Sequence, residues 1–282
     1  MQPTRNRDLT SGSCEQATGN AKERATLSPT LNDHAIPAWL GRNLWHGFLG
    51  RRGGVSRGSF ESLNFSYLAG DAPANVRTNW RRLQECFAPG TEFVQVHQVH
   101  GNRVHLVDRH CRGVTAVADG MVSGARGAIL GILTADCVPV LLIDEKAAVA
   151  GALHAGWRGV IGAIAPAGVN AMAAIGARPD RIEAALGPAI GACCFEVDID
   201  LARRFEAEIP GASRHLWPGG QGKAFIDLKG VLRDQLERAG LCSSALIDVP
   251  VCTRCSSGRF FSRRAAGGGT TGLQLSFIGL KE

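Results

Sequence analysis

The sequence predicts an α+β fold, a single domain of mixed β-sheets flanked by helices. Apolar runs of strand length recur along the chain, but they do not alternate cleanly with helices as a doubly wound sheet requires. Three segments with helical character stand among them, and no repeat is present. At 282 residues, 45% of them hydrophobic, the chain is long enough to bury a sizeable core.

Residues 1–36 are polar and lack apolar periodicity, so they read as a disordered leader, with the catalytic domain spanning residues 37–282. The Gly-rich stretch Gly50–Gly58 (GRRGGVSRG) reads as a loop whose backbone N–H groups could bind an anion. In Asn75–Phe87 the apolar residues Val76, Trp80, Leu83 and Phe87 recur at helical spacing. Phe93–Val99 alternates as a strand does, bends at His100-Gly101-Asn102, and resumes a β pattern at Val104–Val107. Ile129–Leu133 and Val138–Ile143 are buried strands joined by the turn Thr134–Cys137, and Ala147–Leu153 is a third that ends at His154. The Ala/Gly-rich stretch 160–176 reads as a helix packed closely on a sheet. Ile182–Leu186 reads as a strand, Leu228–Ala239 as a helix, and Phe260-Phe261-Ser262 and Leu273–Ile278 as late strands.

Composition narrows the partners. Net charge is +6, with 31 basic residues spread along the chain and no long Lys/Arg run, which argues against nucleic acid. Basic doublets such as Arg51-Arg52, Arg81-Arg82 and Arg263-Arg264 suit small anionic substrates. No apolar run reaches the roughly 18 residues that span a membrane. Nine cysteines and no apolar signal segment fit a cytoplasmic protein with reduced thiols, where cysteine serves as core filler or metal ligand. A small-molecule substrate and a monomer are expected.

Three ligand-type residues stand at strand ends: His100, Cys137 and His154. Two imidazoles and a thiolate suit zinc, and a catalytic zinc keeps a fourth position for water or substrate. Copper accepts the same donors, but blue-copper sites add a long axial Met, and none of the three Met lies nearby in sequence. The same residues could instead form a metal-free Cys–His nucleophile pair. Cys193-Cys194, Cys252-x-x-Cys255 and His97-x-x-His100 compete as ligand pairs. Cys252/Cys255 resembles half of a structural zinc site whose second half is missing, so both read as ordinary thiols near a turn.

The order of motifs resembles the laccase-domain (polyphenol oxidase) family, whose bacterial YfiH-type members are described as purine nucleoside phosphorylases and as a peptidoglycan editing factor. The resemblance covers about residues 38–280 and rests on GRRGGVS at 50–56, SLN at 62–64, QVHGNRV at 98–104, ADG at 118–120 and TADCVPVLL at 134–142. HAGWRG at 154–159, GPAIGACCFEV at 187–197, and CTRC with FFSRR within 252–264 continue it. It implies a YfiH-like, cysteine-hydrolase-type fold and a zinc ion on His100, Cys137 and His154. It also implies phosphorolysis of adenosine, inosine, guanosine and methylthioadenosine, with adenosine deamination as a side activity. The alternatives it leaves are a Cys–His amidase that edits peptidoglycan precursors, or a copper oxidase of phenols. One block departs: the family's FFSHRRDG reads Phe260-Phe261-Ser262-Arg263-Arg264-Ala265-Ala266 here.

Further roles follow, each with an alternative. Arg51 is either a bidentate phosphate clamp or a surface residue. Asn64 either meets ribose or base, or caps the turn after Leu63. Arg158 either holds an anion or stacks on Trp157. Asp119 and Asp136 suit orientation of a ligating imidazole, with turn capping the alternative for Asp136. Glu196 is either an acid/base for deamination or a solvated carboxylate.

Overall fold

Strands of alternating burial and strands buried on both faces build two stacked sheets. A computed structural model describes residues 32–108 and 110–282. In chain order the strands are β1 (Asn32–His34), β2 (Leu44–Leu49), β3 (Glu92–His97), β4 (Val104–Leu106), β5 (Gly113–Val117), β6 (Gly120–Ser123), β7 (Ala128–Thr134) and β8 (Val138–Asp144). They continue with β9 (Val149–Ala155), β10 (Glu183–Leu186), β11 (Glu196–Asp198), β12 (Leu216–Pro218), β13 (Lys223–Ile226), β14 (Leu246–Asp248) and β15 (Gln274–Leu280). The helices are α1 (Pro73–Gln84), α2 (Trp157–Ile161), α3 (Ile164–Ala174), α4 (Ile199–Glu208) and α5 (Leu228–Arg238).

One six-stranded sheet has the order β1-β2-β15-β7-β3-β5, the other β14-β10-β8-β9-β6-β4, and β11-β13-β12 form a small third sheet. Both large sheets mix parallel and antiparallel pairs. Side-chain alternation places the layers. Leu130 and Ile132 of β7 pack with Leu141 and Ile143 of β8 and with Ala150 and Ala152 of β9, filling the space between the sheets. Their neighbours Val140, Leu142 and Leu153 face outward onto α3 and α5, through Val169, Met172, Leu232 and Leu236. Ile129 faces the other way, onto a cluster with Leu83 of α1 and Phe277. The result is a mixed α+β domain, as the sequence predicts.

Local chemistry explains the helix ends. Pro73 starts α1 at a position where its missing N–H is not needed, and the Asp227 carboxylate caps α5 by accepting from Lys229 N–H at 3.1 Å. Gly168 allows close packing of α3, since a Cβ there would lie 2.6 Å from Leu153 Cδ1.

The structure corrects several expectations. The expected leader lies outside the described residues through residue 31, but Asn32–His34 pair with Leu49 and Phe48, ahead of the expected boundary at residue 37. The helix expected over 160–176 is split into α2 and α3, with Ala163 left-handed at φ 61° between them. Asn102 Nδ2 donates to Gly162 O at the break. Phe260-Phe261-Ser262 is not a strand. Gln274 takes the place of a strand partner: its Oε1 accepts from Phe261 N–H at 2.7 Å and its Nε2 donates to Phe261 O at 3.2 Å. The short strands β2, β5 and β6, helix α4 and the small third sheet went unread in the sequence.

Candidate metal centre

His100, Cys137 and His154 converge. Their ligand atoms all lie within 4.8 Å of one another, and the two imidazole rings meet edge to face at a centroid distance of 4.8 Å. His154 stands inside β9, opposite Pro139 of β8. Cys137 ends the β7–β8 turn, and His100 sits on the bend after β3. Two bends hold strained backbone: His100 has φ 62° and Asp136 has φ 87°, where residues with a Cβ seldom sit. Gly156 leaves the room that the cluster needs, since a Cβ there would lie 2.9 Å from His100 Cδ2 and 3.1 Å from Cys137 Sγ.

Asp119 organises this arrangement from beneath. It is wholly buried, just before β6. Its Oδ1 accepts from His100 N–H at 2.8 Å and faces His154 Nδ1 at 2.8 Å, and its Oδ2 accepts from Gly101 N–H at 2.7 Å and Val99 N–H at 3.2 Å. One carboxylate thus fixes the strained bend and the ring of His154. A carboxylate can only accept, so Nδ1 of His154 carries a proton, and Nε2 is the ring atom left for a metal once it gives up its own. Burial alone would raise the Asp119 carboxyl, but the bonds from His154, Gly101 and Val99 outweigh it and hold the pKa below the usual value. Burial likewise pushes the Cys137 thiol up, yet the neighbouring charge of His154 and hydrogen bonds from both histidines bring it down to about 6. Burial lowers His154, but the thiolate charge of Cys137 and the bond to Asp119 raise it to about 9. The donor set, the shared acceptor behind it and the depressed thiol fit a metal ion.

The cluster lies in the wall of a cavity of about 790 Å³. Tyr67 and Leu68 form an exposed rim, and Gln98, Thr134, Arg263 and Thr271 also line it. Thr134 Oγ1 is buried with no partner among the described residues. Gln98 is fixed in place: its amide donates to Leu133 O at 2.8 Å and accepts from Leu133 N–H at 2.9 Å.

The structure places other expected residues elsewhere. Arg51 does not line the cavity. Its Nη1 donates to Ser257 O at 2.9 Å, its Nε to Glu61 O, and its guanidinium lies 4.6 Å over the Phe261 ring, so it staples two loops. The Gly50–Gly58 loop spends backbone N–H groups internally, on Arg259 O, Ser62 Oγ and Asn79 Oδ1, and these are not offered to an anion. Asn64 is fully buried; it holds the turn through Ser66 and Asp71 and accepts from Leu273 N–H, the turn-capping alternative. Arg158 stacks 4.1 Å over Trp157. Asp136 ties the turn down by accepting from Thr253 Oγ1 at 2.6 Å and Arg264 N–H at 2.7 Å. Glu196 is exposed on β11, away from the cavity lining, with its backbone oxygen accepting from Arg264. The sequence had marked Arg263 only as half of a basic doublet, and had read His97 as a plain strand position. Both line the cavity, and nothing in their local sequence distinguishes them from surface residues.

This α+β scaffold carries a candidate metal site, the His-Cys-His cluster, beside an open cavity. The chain belongs to the family described as multi-copper polyphenol oxidoreductase laccase, whose model matches residues 45–281. It is 37% identical over 247 residues to purine nucleoside phosphorylase YlmD of Geobacillus stearothermophilus, covering 84% of this chain and 90% of that protein. It is 39% identical over 237 residues to purine nucleoside phosphorylase SCO2081 of Streptomyces coelicolor, covering 83% and 94%. The crystal structure of YlmD from Geobacillus stearothermophilus superposes with a TM-score of 0.83 at 33% identity, covering 90% of this chain and 99% of that one.

Proposed function

We propose that this protein is a zinc-dependent purine nucleoside phosphorylase acting on adenosine, inosine, guanosine and methylthioadenosine, with adenosine deamination as a second activity. The observation that carries the reading is the convergence of His100, Cys137 and His154 on the wall of a cavity roomy enough for a nucleoside. The names of relatives in Geobacillus and Streptomyces support the substrate class. The proposal includes a cytoplasmic location, where thiols stay reduced. Among the described residues no further histidine-bearing group converges, which counts against a multicopper cluster.

Phosphorolysis needs a phosphate dianion held against ribose C1′ while the purine departs. His100, Cys137 and His154 would hold a zinc ion, which would supply Lewis-acid chemistry against negative charge on the phosphate or the departing base. Arg263 takes the anion-holding role first given to Arg51: it lines the cavity and makes no ion pair among the described residues. Tyr67 and Leu68 give the base an apolar, partly aromatic surface to lie on. Asp119 holds the tautomer of His154. Glu196, exposed on β11, does not line the cavity, so it is not placed to carry a proton in deamination.

One observation favours a second reading. Without metal, the lowered Cys137 thiol and the raised His154 form a thiolate–imidazolium pair, as a Cys–His amidase acting on peptidoglycan precursors requires. The test incubates metal-loaded protein with each nucleoside and phosphate and follows free base, ribose 1-phosphate and inosine. Phosphate-dependent base release, abolished by chelation and by His154→Ala, is expected. Failure of phosphate to promote base release refutes the phosphorylase reading, and amidase activity that survives complete metal removal establishes the other.

A further inference from the structure

Two cysteine pairs far apart in sequence, Cys193-Cys194 and Cys252-x-x-Cys255, meet in space. The parallel pairing of β10 with β14, Ala184 to Leu246 through Leu186 to Asp248, sends both chains out on the same side. The bridge between Ala189 and Cys252 then keeps the two loops in register as they leave the sheet. All four Sγ atoms come within 4.8 Å of one another. Cys193 and Cys194 are 3.7 Å apart, Cys193 and Cys255 3.8 Å, and Cys194 and Cys255 3.4 Å. A disulfide would require about 2.05 Å. A tetrahedron of thiolates at about 2.3 Å from a zinc ion has edges of about 3.8 Å. The three separations therefore approach the edges of a four-sulfur coordination shell.

The surroundings suit a thiolate cluster. Four thiolates on a divalent ion carry two net negative charges. Arg254 Nη1 donates to Cys194 Sγ at 3.5 Å, and Arg264 sits beside it with Nη1 donating to Cys194 O at 3.0 Å. Gly191 N–H donates to Cys252 Sγ at 3.3 Å, as backbone amides do toward coordinated sulfur. Gly191 also leaves space for the sulfurs, since a Cβ there would lie 3.3 Å from Cys193 Sγ and 3.3 Å from Cys252 Cβ.

We infer that Cys193, Cys194, Cys252 and Cys255 form a second metal site, binding a thiophilic divalent cation of the zinc type in a closed tetrahedral shell with no position left for substrate. Binding converts four thiols and one cation into a four-thiolate complex and releases four protons. Its role is structural, and the connections show what it braces. Thr253, inside the Cys252–Cys255 loop, donates to Asp136 Oδ1, and Ile190 N–H, beside the other pair's loop, donates to Asp136 O at 2.9 Å. Asp136 adjoins Cys137. The four-cysteine clip thus fixes the two loops that hold the strained turn carrying the thiolate of the first site.

The test separates the two sites by using His154→Ala protein, in which the first is disabled. Purified under reducing conditions, this variant should retain one equivalent of zinc per chain by elemental analysis. Exchange with cobalt should give the thiolate-to-cobalt charge-transfer band and the intense visible bands of a tetrahedral site. Adding Cys252→Ser and Cys255→Ser should remove both the metal and the bands. In wild-type protein two equivalents are expected, and stripping the second should lower the unfolding temperature. The same cobalt spectrum on unmutated protein serves where the cysteine variants do not fold, since a four-thiolate shell adds charge-transfer intensity that one cysteine cannot supply. Metal-free His154→Ala protein with no charge-transfer band on cobalt addition overturns the inference. So does a disulfide among the four cysteines in freshly reduced and re-equilibrated protein.

Discussion

Replacing Asp119 by Asn probes the organisation of the candidate centre. The carboxylate accepts from Val99, His100 and Gly101 N–H and from His154 Nδ1. An Asn side chain keeps one acceptor oxygen and turns an NH₂ group toward the donors that met the other. Either orientation strands two of them: Val99 and Gly101, or His100 and His154. Hydrogen bonds to a charged acceptor contribute about 1.5–3 kcal/mol each, so the metal-free protein should lose about 3 kcal/mol or more. Loss of the group that orients a ligating histidine costs about 10- to 100-fold in metal affinity, which is about 1.4–2.7 kcal/mol. Competition against a chromophoric chelator measures the affinity, and thermal unfolding with and without metal measures the stability. Unchanged affinity in Asp119→Asn would refute the assignment of Asp119 as the residue that orients His154.

Gly156→Ala drives a Cβ against His100 and Cys137. Overpacking of this kind costs about 1–3 kcal/mol, and metal affinity measured by the same competition should fall while the fold persists by circular dichroism. Arg263→Ala should raise the KM for phosphate by about tenfold, roughly the loss of one charge-assisted contact. Arg51→Ala should leave that KM alone and lower the unfolding temperature, because its bonds are internal; steady-state kinetics with phosphate varied tells the two apart. His46 supplies a pH test. Burial lowers its pKa from 6.5 to about 4, and its Nε2 accepts from Ile36 N–H. The unfolded chain takes up this proton first as pH falls below 6.5, so folding stability drops between 6.5 and about 4. That is about 3 kcal/mol across the window at 1.36 kcal/mol per unit. His46→Gln keeps an acceptor but cannot titrate, and its unfolding free energy should lack this slope.

The sequence by itself determined a good deal. Long apolar runs named β7, β8, β9 and β15, and helical spacing named α1 and α5, because burial periodicity is a local property of the chain. Ligand chemistry at strand ends singled out His100, Cys137 and His154, and the structure brings them together. Short strands such as β11 and β14 escaped because three residues carry too little pattern and owe their conformation to their partners. Only the tertiary structure decided which arginine faces the cavity. Arg51 and Arg263 look alike in sequence, but loop carbonyls and the Phe261 ring claim Arg51. It also decided the fate of the cysteines. Cys252 and Cys255 read as ordinary thiols near a turn because Cys193 and Cys194, which complete the four-cysteine group, lie in a distant segment that the parallel β10–β14 pair carries alongside. Side-chain type is written in the chain, whereas convergence depends on strand order and register, which long-range pairing sets.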